Sequence, residues 1–141
     1  MRRNGLPRQL RIRRRADFVA CYERGNRHHT EHFLVFVLPG ACPGLRARTG
    51  TAVSRKVGNA VVRNRIKRLL REFCRLHREE LPVEADIVVV AKKHAGEAGL
   101  DLAAVAAELL PPLLTRYSEV EMLMVTPSLP DAAAAVVRRM M

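Results

Sequence analysis

The chain has 141 residues, 48% of them hydrophobic, and carries a net charge of +11. That is enough apolar material for the core of one ordinary domain, which excludes a disordered basic tail. The charge points to a polyanionic partner. No apolar run approaches the roughly 18 residues of a membrane span, and the charged N-terminus lacks the apolar stretch of a signal peptide.

The charge is unevenly placed. Residues 1–78 hold twenty basic side chains against Asp17, Glu23, Glu31 and Glu72, a net of +16, and the remainder is −5. The polyanion-binding surface is therefore expected in the first part of the chain. Arg outnumbers Lys. Guanidinium groups contact phosphates in bidentate fashion and stack on bases, although a GC-rich genome also favours Arg codons. The cysteines Cys21, Cys42 and Cys74 are far apart and form no CxxC pair. This argues against a disulfide framework or a zinc site and fits a reducing cytoplasm.

Residues 1–13 are Arg-rich and read as a mobile basic arm that orders on RNA. A helix is predicted from about Arg14, with Phe18, Cys21 and Tyr22 on one face, Asp17 in the first turn and Gly25 as its stop. His32 to Leu38 is a nearly continuous apolar run and predicts a buried strand, with a short strand before it near Arg27 and His28. Pro43 and Gly44 mark a loop. Arg48 to Arg55 predicts a second long strand, joined to the first in hairpin fashion.

The longest helix is predicted over 59–79, with Asn59 as N-cap. At about 100° per residue, Val62, Ile66, Leu69, Leu70, Phe73 and Leu76 share one side. Arg63, Asn64, Lys67, Arg68, Arg71, Arg75 and Arg78 share the other, with Arg65 at the boundary. A solvated helix usually mixes signs, because Glu-to-Lys pairs four apart stabilise it. Here only Glu72 interrupts the run. The helix start, after Arg55, Lys56 and Gly58, offers free N–H groups and a positive dipole end to a phosphate. Pro82 ends this helix. Asp86 to Ala91 reads as a central strand. A last helix begins near Asp101, and Pro111-Pro112 is expected to break or restart it. Glu119 to Thr126 reads as an ambiguous further strand. Helix, strands, helix, strand, helix implies an α+β sandwich.

Phe18, Tyr22 and Phe36 converge if the first helix packs near the strand. Aromatic faces flanked by Arg form a platform for unpaired bases, although aromatics at helical spacing more often pack a core. A two-metal nuclease needs clustered carboxylates, and the four acids of 1–78 are scattered. The histidines His28, His29, His32, His77 and His94 lack metal-ligand spacing, and no phosphate-loop motif is present. No self-contained catalytic apparatus is visible.

Ser54 to Glu72, reading SRKVGNAVVRNRIKRLLRE, closely resembles the bacterial ribonuclease P protein family. The likeness extends to Arg14-Arg15-Ala16-Asp17-Phe18, Gly25, Phe33 to Leu38 and Asp86 to Ala91, and covers roughly residues 10–117. The resemblance implies a two-layer α-β sandwich with about four strands and a left-handed β-α-β crossover, against the usual right-handed preference. It places the conserved domain at 14–117 and gives 118–141 no role.

The resemblance also implies that a large RNA performs the catalysis, with Mg²⁺ bound mainly by that RNA and none by the protein alone. The holoenzyme would remove the 5′ leader of precursor tRNA. The catalytic-RNA face would comprise Arg55, Lys56, Asn59, Arg63, Asn64, Arg65, Lys67, Arg68 and Arg71. The leader-binding cleft would comprise Phe18, Tyr22 and Phe36. Arg55 stands where the family usually has Lys. Ala52 stands where a relative has a cleft hydroxyl, which removes one polar contact. The competing expectation is a structural RNA-binding protein or RNA chaperone; the long motif and the aromatic cleft discriminate against it.

Overall fold

The computed structural model describes residues 8–114. Most of the expected arm (1–7) and the expected strand and extension beyond 117 lie outside the described residues. The order of elements is α1 (Arg15–Arg24), β1 (Asn26–His29), β2 (Phe33–Pro39), β3 (Arg48–Ala52), α2 (Ala60–Leu76), β4 (Ala85–Ala91) and α3 (Leu102–Leu114). Short 3₁₀ turns sit at Arg8–Leu10, Arg55–Val57, Arg78–Glu80 and Lys93–Glu97.

The four strands form one mixed sheet in the order β1-β2-β4-β3. β2 pairs antiparallel with β1 and β4, while β3 pairs parallel with β4. The expected hairpin between β2 and β3 is therefore absent, because β4 lies between them. The composition of the strands explains it. Every residue of β4 is buried, so it takes a central position. β3 carries two threonines and a glycine, and serves as an edge. α2 occupies the crossover between the parallel neighbours β3 and β4.

Strand alternation separates two cores. Val35, Val37, Ile87 and Val89 face α2 and α3, packing on Ile66, Leu70, Phe73, Val105 and Leu109. Leu34, Phe36, Val88 and Val90 face the other way, onto Cys21 and Tyr22 of α1. The sheet is thus covered on both faces, and α1 adds a third layer to the expected two.

Three local expectations need correction. Gly25 does end α1, but its φ is −76°, so no left-handed turn is involved. A Cβ there would lie 2.5 Å from the carbonyl oxygen of Cys21, and that close approach is what selects glycine. Leu76 is 49% exposed. It lies on the line of Arg65 and Leu69 along the helix, at the flank of the core stripe, and the helix ends there. Pro111-Pro112 does not break α3, which runs through both to Leu114. The buried Leu109 and Leu113 anchor the helix on either side of the prolines, and this packing outweighs the lost backbone hydrogen bonds.

Part of the expected arm is tied down. Ile12 donates its N–H to the Thr49 carbonyl at 2.8 Å, and Arg11 bridges Thr49 in parallel. Leu10 and Ile12 are buried. Segment 10–12 therefore caps the open edge of β3, which protects it from pairing with another chain.

Candidate nucleic-acid interface

α2 begins as its sequence requires. Asn59 is extended, and its side-chain oxygen accepts the N–H of Val62 at 3.0 Å. Arg55 and Lys56 stand exposed on the preceding 3₁₀ turn, whose Val57 is buried as its anchor. Asn59, Asn64, Arg68 and Arg71 are exposed, and Arg63, Arg65 and Lys67 are half-buried.

The basic face divides into three sectors. At about 100° per residue, Arg63, Lys67 and Arg71 share the flank near Cys74, beside β3. Asn64, Arg68 and Arg75 form the outer ridge. Arg65 lies on the opposite flank, toward α3, and donates to the Leu100 carbonyl at 3.1 Å. Arg75 is bound to Glu72 by a two-point ion pair that also lowers the Glu72 carboxyl pKa. By contrast, Lys67, Arg68 and Arg71 make no side-chain hydrogen bond or ion pair with any described residue. The Nε of Arg63 is buried without a hydrogen-bond partner among the described residues. Sequence periodicity placed Arg65 and Arg75 with the others; their structural partners, α3 and Glu72, separate them.

The aromatic residues do converge. Tyr22 meets Phe36 edge-on at 5.1 Å between ring centroids and lies 6.4 Å from Phe18. Their exposures differ. Phe36 is wholly buried, Tyr22 is 5% exposed, and Phe18 is half-buried. Phe18 therefore presents the accessible surface, with Tyr22 and Phe36 stacked beneath it as support. Burial pushes the Tyr22 phenol up to about 12 and the Cys21 thiol likewise to about 12. Both stay neutral near pH 7, so the cations define the electrostatics of this face. Ala52, part of the same cluster, offers no hydroxyl.

A cleft of about 440 Å³ opens at the β3 edge, between Phe18 on one side and Lys67 and Arg71 on the other. Sequence reading missed it. Its parts come from α1, segment 11–13, β3 and α2, and only the topology brings them together. Among the described residues, no group of three or more His, Cys, Asp or Glu side chains is placed to hold a metal ion. The cationic cleft does not suit Mg²⁺ either.

Comparison with known proteins agrees with this geometry. The family model described as Ribonuclease P matches residues 6–113. The chain is 85% identical over 118 residues to the ribonuclease P protein component of Desulfovibrio desulfuricans, covering 84% of this chain and 90% of that one. It is 49% identical to the counterpart from Oleidesulfovibrio alaskensis, over 75% of this chain and 85% of that one. Among solved structures, the RNase P protein of Thermotoga maritima matches with a TM-score of 0.68 at 32% identity, covering 77% of this chain and 98% of that one. The RNase P protein of Staphylococcus aureus matches with a TM-score of 0.64 at 31% identity, covering 74% of this chain and 92% of that one. The chain belongs to the bacterial ribonuclease P protein family.

Proposed function

We propose that this chain is the protein subunit of a ribonuclease P ribonucleoprotein, which hydrolyses one phosphodiester to release the 5′ leader of precursor tRNA. The observation that carries the reading is a row of α2 cations with no acidic partner beside an aromatic face whose accessible member is Phe18. Cations left unpaired on a folded helix are stabilised by an external polyanion, and an exposed ring beside them suits an unpaired base.

In this reading the RNA is catalytic and holds the Mg²⁺ that activates and stabilises the reacting oxygens. The chain's own residues position RNA. Arg55, Lys56, Asn59, Arg63, Asn64 and Arg68 meet the catalytic RNA, and Phe18, backed by Tyr22 and Phe36, meets the leader. Arg65 contributes by fixing α2 against the start of α3. The setting is the cytoplasm, where precursor tRNA is made in bacteria.

The test is reconstitution. The purified chain alone is expected to leave precursor tRNA intact, and adding it to the cognate catalytic RNA is expected to raise cleavage at low Mg²⁺. Cleavage by RNA-free protein, or no effect on the RNA's activity, would overturn the proposal.

A further inference from the structure

The cleft at the β3 edge joins two surfaces that the family resemblance treats separately. Phe18, assigned to the leader, lines it together with Lys67 and Arg71, assigned to the catalytic RNA. Arg11 and Arg13 line it as well. These two flank Ile12, which is buried, so strand-like alternation turns both outward.

Gly50 is why one cavity can connect the two faces. A Cβ at this position would lie 2.8 Å from Cζ of Phe18 and 3.1 Å from Cβ of Ile12. The bare backbone lets the Phe18 ring reach the edge of the sheet, level with α2. The remaining lining is Ile12, Thr49, Thr51 and Cys74, so no carboxylate touches the cavity. Burial pushes the Cys74 thiol up to about 12, which keeps it neutral. The cavity is thus cationic at two walls and aromatic at a third. Its volume falls within the roughly 300–1,000 Å³ of ligand clefts. Segment 10–12 already caps the β3 edge, so a ligand must be held by side chains rather than by strand pairing.

We infer that this cleft holds one nucleotide of the single-stranded leader. Its phosphodiester lies between Arg11 and Arg13 on one wall and Lys67 and Arg71 on the other, and its base lies against Phe18. Lys67 and Arg71 then serve the leader rather than the catalytic RNA, and the boundary between the two RNA surfaces runs along α2, between Arg71 and Arg68. The rotation of the helix supports this division. Lys67 and Arg71 share the flank that borders β3, whereas Arg68 sits on the outer ridge and does not line the cleft. The aromatic wall selects an unpaired base, which a folded helical RNA does not supply. The inference rests on the function proposed above.

The experiment uses the holoenzyme reconstituted from the full chain and its cognate RNA. Substrates are precursor tRNAs with a one-nucleotide or a long leader, and long-leader versions carrying a neutral methylphosphonate at single leader positions. The variants are Lys67→Gln with Arg71→Gln, and Arg68→Gln for comparison. Charge-assisted contacts to a phosphate are strong, so the double variant should bind the long-leader substrate about tenfold more weakly or worse. Its affinity for the one-nucleotide substrate and for the catalytic RNA should be unchanged. At one leader position, methylphosphonate should weaken the unmodified enzyme yet add nothing to the double variant. The salt slope for the long-leader substrate should flatten by about 0.7 per lost phosphate. Arg68→Gln should show the reverse pattern, losing catalytic-RNA affinity alone.

Equal losses for short and long leaders, or a loss confined to catalytic-RNA binding, would return Lys67 and Arg71 to the structured-RNA face and overturn the inference. Unchanged binding of all substrates would overturn it too. If the unmodified holoenzyme itself gained nothing from a long leader, the proposed function would fail with it.

Discussion

Arg48 grips Asp86 across neighbouring strands, its Nε and one terminal nitrogen donating to the two carboxylate oxygens at 2.7 and 2.6 Å. The same terminal nitrogen lies 3.7 Å from Asp17 of α1. Asp86 is 2% exposed, so Arg48 is what makes its charge tolerable inside the sheet. The pair also raises the Arg48 pKa, chiefly through the Asp86 hydrogen bonds, so the guanidinium stays charged. Arg48→Ala leaves a buried carboxylate uncompensated and should cost about 3–5 kcal/mol, the usual penalty for breaking one side of a buried pair. Because Arg48 also faces Asp17, the loss should loosen α1, and Phe18 with it. Denaturant unfolding measures the cost. A change under 1 kcal/mol would show that Asp86 finds another partner.

Arg65 and Arg68 separate two roles that sequence periodicity merges. Arg65 holds the Leu100 carbonyl, whereas Arg68 is exposed and makes no bond with a described residue. Arg65→Ala should lower stability by about 1 kcal/mol, the net worth of such a hydrogen bond. Arg68→Ala should change stability by less than about 0.5 kcal/mol, yet weaken catalytic-RNA binding and flatten its log–log salt slope by roughly 0.7–0.9. Thermal unfolding and salt-dependent RNA titration of both variants provide the check. Equal stability for the two variants would remove the structural role given to Arg65.

Local signals carried much of the fold. Asn59 before an apolar stripe announces an N-cap, and the run from Asp86 to Ala91 announces a central strand, because each depends on neighbours in the chain. What sequence reading missed depends on distant residues. The place of β3 was decided by competition with β4 for the centre of the sheet. The division of the α2 cations was decided by what lies beside them: Leu100 for Arg65, Glu72 for Arg75, and the β3 edge for Lys67 and Arg71. The persistence of α3 through Pro111 was decided by Leu109 and Leu113 in the core. The aromatic cluster was legible as a convergence. Its burial order, with Phe36 at the bottom and Phe18 on top, was not.

Glu108 ties α3 to the turn between β1 and β2. Its carboxylate accepts the hydroxyl of Thr30, the backbone N–H of His32 at 2.6 Å and, at 2.7 Å, Nδ1 of the His32 ring. Burial alone would raise the Glu108 pKa, but the hydrogen bonds from Thr30 and His32 outweigh it and leave the group below its ordinary value of 4.5. On acidification the unfolded chain therefore takes up this proton first. The contribution to stability is full above about pH 4.5 and disappears as the pH falls through the lower folded-state value. Glu108→Gln should lower stability at pH 7 and make the loss between pH 5 and pH 3 shallower. Unfolding midpoints of both proteins across that range test it. Parallel pH curves would mean that Glu108 is not the group responsible.

Phe18 is the aromatic residue that both packs and remains accessible, so its two roles can be separated by choice of substitution. Phe18→Ala removes the ring and leaves a gap over Tyr22, 6.4 Å away between centroids, so it tests packing and binding together. Phe18→Leu keeps apolar bulk over Tyr22 but offers no flat face to a base. If a leader base stacks there, Phe18→Leu should weaken binding of leader-bearing precursor tRNA by about 1–3 kcal/mol. Mature tRNA binding and the unfolding midpoint should stay close to those of the unmodified protein. Tyr22 and Phe36 provide the contrast: both are buried, so replacing either with Leu should act first on stability and only indirectly on the leader. Binding measured with and without the leader, beside thermal unfolding, distinguishes the cases. If Phe18→Leu binds leader-bearing and mature tRNA as tightly as the unmodified protein does, the ring packs the α1 face and does not contact substrate.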